Sequence, residues 1–121
     1  MDDLENLASE YYQSAHPNPP APAERDAIIQ RWRQDFGTDG KLYLMRPVGC
    51  KVCGGGYKGR VGLYELLQAT PSLRHLIRHR SAATEYLAAG ITEGMRTLKQ
   101  DGIEKVIRGV TDIMQVRSVC V

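Results

Sequence analysis

The amino-acid sequence predicts an α+β fold that is mostly helical: two N-terminal helices, a small antiparallel β-hairpin, then a C-terminal bundle of about four helices. Apolar residues recur at helical spacing through the first and last thirds of the chain. In the middle third, two segments of alternating apolar residues flank a loop rich in cysteine and glycine. We therefore expect a helical segment at residues 1–40, a cysteine-containing hairpin at residues 41–69 and a helical subdomain at residues 70–121.

Two helices are predicted before residue 40. Acidic residues begin the first, at residues 2–15, where the helix dipole favours negative charge. The prolines of HPNPPAP, residues 16–22, cannot continue it, since proline lacks an N–H and restricts the residue before it. A second helix is predicted from Ala23 to Phe36, with Gly37 as its stop. The apolar stripe of the first helix comprises Leu4, Leu7, Ala8, Tyr11 and Tyr12.

The hairpin is predicted from two alternating segments. In Lys41 to Arg46, Leu42 and Leu44 point to one face. In GRVGLYELLQ, residues 59–68, Leu63 points to one face, and the residues directly before and after it point to the other. An isolated hairpin is only marginally stable, so it should pack on helices or complete a sheet.

The last third is predicted to be helical because capping residues and glycines delimit four apolar periodic segments. Proline after Thr70 suits the first turn of a helix. The predicted helices begin after Thr70, at Ser81 or Ala82, near Leu98 and after Thr111, and the second and third end near Gly94 and Gly109.

Composition restricts the class of protein. At 121 residues the chain is about one domain long, and no apolar stretch reaches the roughly 20 residues of a transmembrane helix or resembles a signal segment. The cytoplasm is therefore the expected compartment. Three cysteines do not make a secreted disulfide framework. Residues 1–40 carry a net charge of −5 and the remainder +7, a distribution that favours an acidic partner surface over nucleic acid.

No catalytic constellation is found. There is no G-x-x-x-x-G-K-[ST] phosphate loop, and the glycines of GGGYKG precede a predicted strand, whereas a phosphate loop ends at a helix N-terminus. The three histidines do not form a Ser-His-Asp or Cys-His arrangement that could be argued from sequence. We therefore expect no enzyme activity, catalytic residue or bound cofactor in this chain.

The C-x-x-C pair, Cys50 and Cys53, has three interpretations. It could be half of a four-cysteine zinc site, but no second pair exists, and Cys120 or a histidine would have to complete it by folding. It could be a redox pair, although such pairs normally open a helix. The favoured interpretation is a reduced pair that shapes a tight turn.

Glycines and charged residues near the pair also have more than one interpretation. Gly54, Gly55, Gly56 and Gly59 are expected to provide positive φ or close backbone approach, or to form a tip without function. Lys58 and Arg60 could contact a phosphate or an acidic partner, or be simply solvated. His75 and His79, among arginines on one helix face, indicate a basic docking face or a solvated surface rather than a metal site.

Two longer stretches carry a family resemblance. GCKVCGGGYKGRVGLYELL, residues 49–67, and GMRTLKQDGIEKVIRGVTDIMQV, residues 94–116, resemble the C-terminal end of the type II secretion and type IV pilus assembly ATPases. The resemblance extends from Leu42 to the C-terminus. It implies a parent protein that is a hexameric RecA-like motor, binds ATP and Mg²⁺ upstream of this stretch, and works at the cytoplasmic face of the bacterial inner membrane.

For this chain the resemblance implies a non-catalytic C-terminal portion that packs against the motor core and neighbouring subunits and helps relay motion. Further implied partners are an inner-membrane platform protein and cytoplasmic components of the machine, without nucleic acid. The alternative is a free-standing zinc- or nucleic-acid-binding module that uses Cys50, Cys53 and the basic helices. The residues that match the family pattern, read as structural or interaction residues, are Gly56, Lys58, Gly59, Arg60, Gly62, Glu65, Gly94, Met95, Asp101, Gly102 and Thr111.

The chain departs from the family pattern in its first half. Many members carry an earlier C-x-x-C that binds zinc together with the second pair, whereas the aligned stretch LENLASEYY, residues 4–12, has no cysteine. We therefore expect no zinc; Cys50 and Cys53 would be the ligands of any metal. The N-terminal helices would replace it by apolar packing of Leu4, Leu7, Tyr11, Ile28 and Trp32.

Overall fold

The computed structural model describes residues 2–120 and contains six α-helices in that range. The prediction of a mostly helical chain is confirmed, including two helices before residue 40 and four after residue 70. The helices are α1 (Asp3–Gln13), α2 (Pro22–Phe36), α3 (Pro71–Arg78), α4 (Ala83–Thr92), α5 (Leu98–Ile107) and α6 (Ile113–Val119).

The ends of the helices follow local chemistry. The Asp2 carboxylate caps α1 by accepting a 2.7 Å hydrogen bond from the Glu5 N–H. The Thr70 hydroxyl caps α3, and Thr97 and Gln100 form a reciprocal capping box at the start of α5. Gly94 and Gly109, with φ of 96° and 80°, follow α4 and α5, and these left-handed conformations suit glycine.

The cap of α6 corrects one prediction. Asp112, not Thr111, is the N-cap residue, and its Oδ1 accepts a 3.0 Å hydrogen bond from the Gln115 N–H. The N-cap is the residue that directly precedes the helix, and its side chain accepts from N–H groups of the first turn. Because α6 begins at Ile113, that residue is Asp112.

One apolar core joins the N-terminal and C-terminal helices. α1 packs on α2 and α5, and α5 packs on α6. The Tyr11 and Trp32 rings meet edge to face, with centroids 5.4 Å apart, in the arrangement that aromatic quadrupoles favour. α3 and α4 pack against each other, and Leu73 is buried there. The buried members of the core cluster are Leu7, Ala8, Ile29, Trp32, Ile103, Val106, Ile107, Val116 and Cys120.

The predicted β-hairpin is wrong. Residues 41–69, called here the central segment, have no regular secondary structure, and within residues 2–120 they form no strand; only isolated bridges join Thr38 to Lys41 and Cys50 to Gly54. The alternation itself is real, because Leu42 and Leu44 pack against the helical core. Alternating apolar residues indicate which face of a segment is buried. Here helices bury that face, and no neighbouring strand is needed.

No helix among residues 2–120 combines the length and the apolar character that crossing a lipid bilayer requires.

Candidate functional site

The candidate site is the Cys–Gly turn, defined here as residues 49–56, together with the rest of the central segment. Within the turn the Gly54 N–H donates to the Cys50 carbonyl oxygen at 3.0 Å, and the Cys53 N–H donates to Cys50 Sγ at 3.1 Å. The chain therefore folds back on itself within five residues. The interpretation of the cysteine pair as part of a tight turn matches this geometry.

Two glycines make the turn possible by close backbone approach. A Cβ on Gly49 would lie 2.6 Å from the Gly54 carbonyl oxygen, and Gly49 has φ of 84°. A Cβ on Gly56 would lie 2.8 Å from Pro47 Cβ, at φ of 95°. Such distances are shorter than van der Waals contact, so a larger residue at either position requires the turn to rearrange.

The three thiols occupy different environments. Cys50 is exposed and Cys53 is partly exposed, whereas Cys120 lies buried at the end of α6. Hydrogen bonds from the Cys53 side chain and backbone, and from the Val52 backbone, lower the pKa of the Cys50 thiol. Burial raises the pKa of the Cys120 thiol.

The cysteine pair does not fit the family's zinc site. A closed structural zinc takes four ligands in a tetrahedral arrangement. The turn offers two thiols, and Cys120 belongs to the core cluster with the helices. Across residues 2–120, no three His, Cys, Asp or Glu side chains are grouped in a way that could hold a metal ion. Cys50 and Cys53 therefore supply at most two ligands, and the other side chains of residues 2–120 do not complete a four-ligand site around them.

Tyr57 fastens the base of the turn to the helices. Its hydroxyl donates to Oδ2 of Asp112, the carboxylate that also caps α6. This bond, together with a smaller contribution from desolvation, raises the pKa of Tyr57. One carboxylate thus orients both the last helix and the turn.

A second attachment joins the central segment to α5 through two carboxylates. The Tyr64 N–H donates to Asp101 Oδ2 at 2.9 Å, and Glu65 Oε2 accepts from the Leu98 N–H at 2.7 Å. Glu65 therefore binds a free donor in the first turn of α5. Lys105 Nζ lies 2.6 Å from Asp101 Oδ2 as well.

The charge at Asp101 is stabilised despite its partial burial. Desolvation alone would raise the pKa of Asp101, but the hydrogen bonds from Lys105 and from the Tyr64 N–H, together with the charges of Lys105 and Arg96, outweigh it and lower the pKa. Asp101 is therefore ionised when it holds the central segment, and the two hydrogen bonds are charge-assisted.

Gly102 lets the helices approach at this attachment. A Cβ there would lie 2.6 Å from Val116 Cγ1 and 3.3 Å from Leu63 Cδ1. The central segment, α5 and α6 therefore meet where α5 has no side chain. Gly94 ends α4, and the next residue, Met95, donates its N–H to the Gly90 carbonyl oxygen at 2.8 Å.

The remaining family-matched residues do not join this constellation. Lys58, Gly59, Arg60 and Gly62 are exposed, and within residues 2–120 neither basic side chain takes part in an ion pair or side-chain hydrogen bond. A cavity of about 340 Å³ beside the attachment is lined by Tyr64, Leu66, Leu67, Gln68, Thr70, Gly90, Glu93, Gly94, Met95, Arg96 and Asp101.

Sequence reasoning missed two polar networks. The Tyr11 hydroxyl donates to Glu104 Oε1 at 3.0 Å, and its pKa rises to about 12 through desolvation and the Glu104 charge. Glu10 accepts from Lys99 and Arg117 at 2.8 Å each and thereby joins three helices. No local pattern signals these pairs, because the partners lie about 90 or more positions apart in sequence. The capping box at Thr97 and Gln100 was readable as T-x-x-Q.

Comparisons with known proteins point to one family. Residues 23–118 match the family model described as Type II/IV secretion system protein. The chain is 40% identical over 96 residues to the type IV pilus assembly ATPase PilB of Acinetobacter baylyi, covering 79% of this chain and 17% of that protein. It is 32% identical over 114 residues to the type II secretion system ATPase E of Vibrio cholerae, covering 93% of this chain and 22% of that protein.

A third relative agrees with these two. The type IV pilus assembly ATPase PilB of Pseudomonas aeruginosa is 38% identical over 80 residues, which cover 66% of this chain and 14% of that protein. The chain therefore spans less than a quarter of the length of the curated relatives it matches. No solved structure gives a significant match.

Proposed function

The chain belongs to the Type II/IV secretion system protein family, and on that premise we propose that it forms the non-catalytic C-terminal portion of a hexameric ATPase that powers type II secretion or type IV pilus assembly. The family match over residues 23–118 carries this proposal. In the parent protein, ATP and Mg²⁺ would bind the motor core, outside the residues described above. The chain would work at the cytoplasmic face of the inner membrane with a platform protein and other cytoplasmic components.

The central segment is the surface that we assign to packing on the motor core and neighbouring subunits. Several of its apolar side chains are exposed: Tyr64 is 74% exposed and Leu66 69%. Exposed apolar side chains are expected where a protein surface is covered by a partner. The exposed apolar residues of this surface are Tyr43, Met45, Val61, Tyr64, Leu66 and Leu67.

The attachments described above support a role in relaying motion. A displacement of the central segment would act on α5 through Asp101 and Glu65, and on α6 through Tyr57 and Asp112. Each contact is a hydrogen bond to a carboxylate, which is directional and stronger than a neutral one. Movement at the exposed face would therefore reach the helices without melting the apolar core.

The test is a chimera. Residues 2–120, which include α1 and its part of the core, replace the matching segment of the Vibrio cholerae relative, whose alignment covers 93% of this chain. We expect the chimera to assemble and hydrolyse ATP while the isolated chain hydrolyses none. Leu66→Asp in the chimera should lower ATP hydrolysis by about tenfold or more, because an unpaired carboxylate in an apolar interface costs several kcal/mol. Light scattering should show loss of the hexamer.

The matched control is Ile77→Asp, which adds the same charge at an apolar side chain that is 57% exposed on α3, outside the central segment. It should leave assembly and hydrolysis close to those of the unsubstituted chimera. Full activity of the Leu66→Asp chimera would contradict the assigned surface. ATP hydrolysis by the isolated chain would contradict the non-catalytic role.

A further inference from the structure

Cys50 and Cys53 lie in the same tight turn. They resemble two ligands of a four-ligand zinc site, which the other side chains of residues 2–120 do not complete. Cys50 Sγ lies 3.1 Å from the Cys53 backbone nitrogen, which donates to it, and the Gly54 N–H closes the turn on the Cys50 carbonyl oxygen at 3.0 Å. A four-residue turn holds its first and last Cα atoms within about 7 Å, and a disulfide requires about 4.4–6.8 Å. The separation that such a turn allows is therefore compatible with a bond between the two sulfur atoms.

Accessibility separates this pair from the third thiol. Cys50 is exposed and Cys53 partly exposed, so a small oxidant in solvent can reach them. Cys120 is 9% exposed and lies in the core cluster. A redox pair usually opens a helix, whose N–H groups stabilise a thiolate. In this turn the Cys53 N–H donates to the Cys50 sulfur at 3.1 Å.

We propose that Cys50 and Cys53 form a reversible intramolecular disulfide in exchange with a low-molecular-weight disulfide such as oxidised glutathione. The Cys50 thiolate attacks one sulfur of the oxidant, whose S–S bond breaks and releases one thiol. The Cys53 thiol then loses its proton and attacks Cys50 Sγ, which releases the second thiol. Two cysteine thiols are oxidised, one external disulfide is reduced to two thiols, and atoms and electrons balance.

The bond would stiffen the Cys–Gly turn without reaching the core. Gly54 and Gly55 have no atoms within 4 Å of an added Cβ, so the tip can adjust as the sulfur atoms approach. The base of the turn stays fastened through Tyr57 and Asp112. The inference is independent of the proposed function, since it rests on the turn alone.

The experiment equilibrates the reduced 121-residue chain with buffers of increasing oxidised-to-reduced glutathione ratio. Remaining thiols are then alkylated under denaturing conditions, and the products are mapped by mass spectrometry. We expect a single transition to a form that has lost two hydrogen atoms, carries no glutathione and accepts alkylation only at Cys120. Excess dithiothreitol should return all three thiols.

Two variants define the pairing. Cys53→Ser should accumulate a stable glutathione adduct at Cys50, because the second attack is removed. Cys120→Ser should keep the wild-type transition, with a midpoint ratio within about twofold, because that thiol is buried away from the turn. Circular dichroism checks that both variants remain folded.

Three results would overturn the proposal. Cys50 and Cys53 could both stay open to alkylation in the most oxidising buffer, or the wild type could keep glutathione adducts in place of an internal bond. Loss of the transition in Cys120→Ser would assign the bond to another pair of sulfur atoms.

Discussion

The helical core and the central segment fix their backbones by different means. Trp32 and Ile103, in the core, are 2% and 0% exposed, whereas Tyr64 and Leu66, in the central segment, are 74% and 69% exposed. The core is held by burial, which is non-directional and grows with the apolar area removed from water. The central segment is held by its inward-facing leucines and by hydrogen bonds to a few carboxylates. Substitutions should therefore damage the two regions by different amounts.

The largest effect is expected from Trp32→Ala. This substitution removes a buried ring and its contact with Tyr11, and it should lower the free energy of unfolding by about 3–5 kcal/mol. Urea unfolding followed by circular dichroism measures it. The control Ile77→Ala, at a side chain that is 57% exposed, should change the free energy of unfolding by less than about 0.5 kcal/mol. A loss below about 1 kcal/mol for Trp32→Ala would show that burial does not dominate the core.

A smaller effect is expected from the carboxylate that joins α1 to α5 and α6. Glu10→Gln weakens the bonds to Lys99 and Arg117 and should cost about 1–2 kcal/mol, since Arg117 is partly solvated and screened. The hydrogen bond from Arg117, only partly opposed by desolvation, lowers the pKa of Glu10 below its ordinary value of 4.5.

The pH dependence follows from the sign of that shift. Because the folded pKa is lowered, the contribution of Glu10 is fully present above 4.5 and is lost as the pH falls through the folded pKa. The free energy of unfolding of the wild type should therefore fall more steeply below pH 4.5 than that of Glu10→Gln, in urea titrations at successive pH values. Parallel pH curves for the two proteins would contradict this assignment.

The cap of α6 distinguishes the structure from the sequence-based prediction. Asp112→Ala removes the cap and the acceptor of the Tyr57 hydroxyl, so it should cost about 1 kcal/mol in urea unfolding. Thr111→Ala should cost less than about 0.5 kcal/mol, because Thr111 does not precede the helix directly. Equal losses in the two variants would contradict the assignment of Asp112 as the cap.

The smallest effect is expected from metal removal. The chain purified without added zinc should contain no stoichiometric zinc, and a chelator should leave its thermal midpoint unchanged, since the turn offers two of the four ligands that a structural site needs. Metal analysis and thermal unfolding with and without chelator measure this. One zinc per chain, or a lowered midpoint after chelation, would show that metal and not packing orders the N-terminal helices.

Much of the helical structure was predictable because its signals are local. Asp2, Thr70, Gly94 and Gly109 mark helix ends through groups that lie within a few residues of them. Prediction of the turn likewise followed from the glycines that crowd around the cysteine pair. The cap at Asp112 was missed by one residue, since two adjacent side chains of similar capping ability follow Gly109.

The element that packs against the central segment could not be predicted. Alternating apolar residues indicate that one face of a segment is buried, but they do not indicate which element buries it. Leu42 and Leu44 alternate as they would in a strand, yet helices cover them. The carboxylates of Asp101 and Glu65 take backbone donors that could otherwise pair with a neighbouring strand or be solvated. Those contacts span more than thirty positions of sequence, so no local pattern announces them.

The sequence by itself determined the six helices, most of their ends, the tight turn at the cysteine pair and the family resemblance, because short-range hydrogen bonding and apolar spacing fix these features. Only the tertiary structure decided that one core joins α1 and α2 to α5 and α6, and that the central segment packs on helices without pairing to a strand. It also decided that Cys120 is buried in that core, whereas Cys50 is exposed and Cys53 partly exposed. These outcomes depend on contacts between residues that are distant in the chain. Such contacts stabilise the fold only once burial of apolar surface has brought the two partners together.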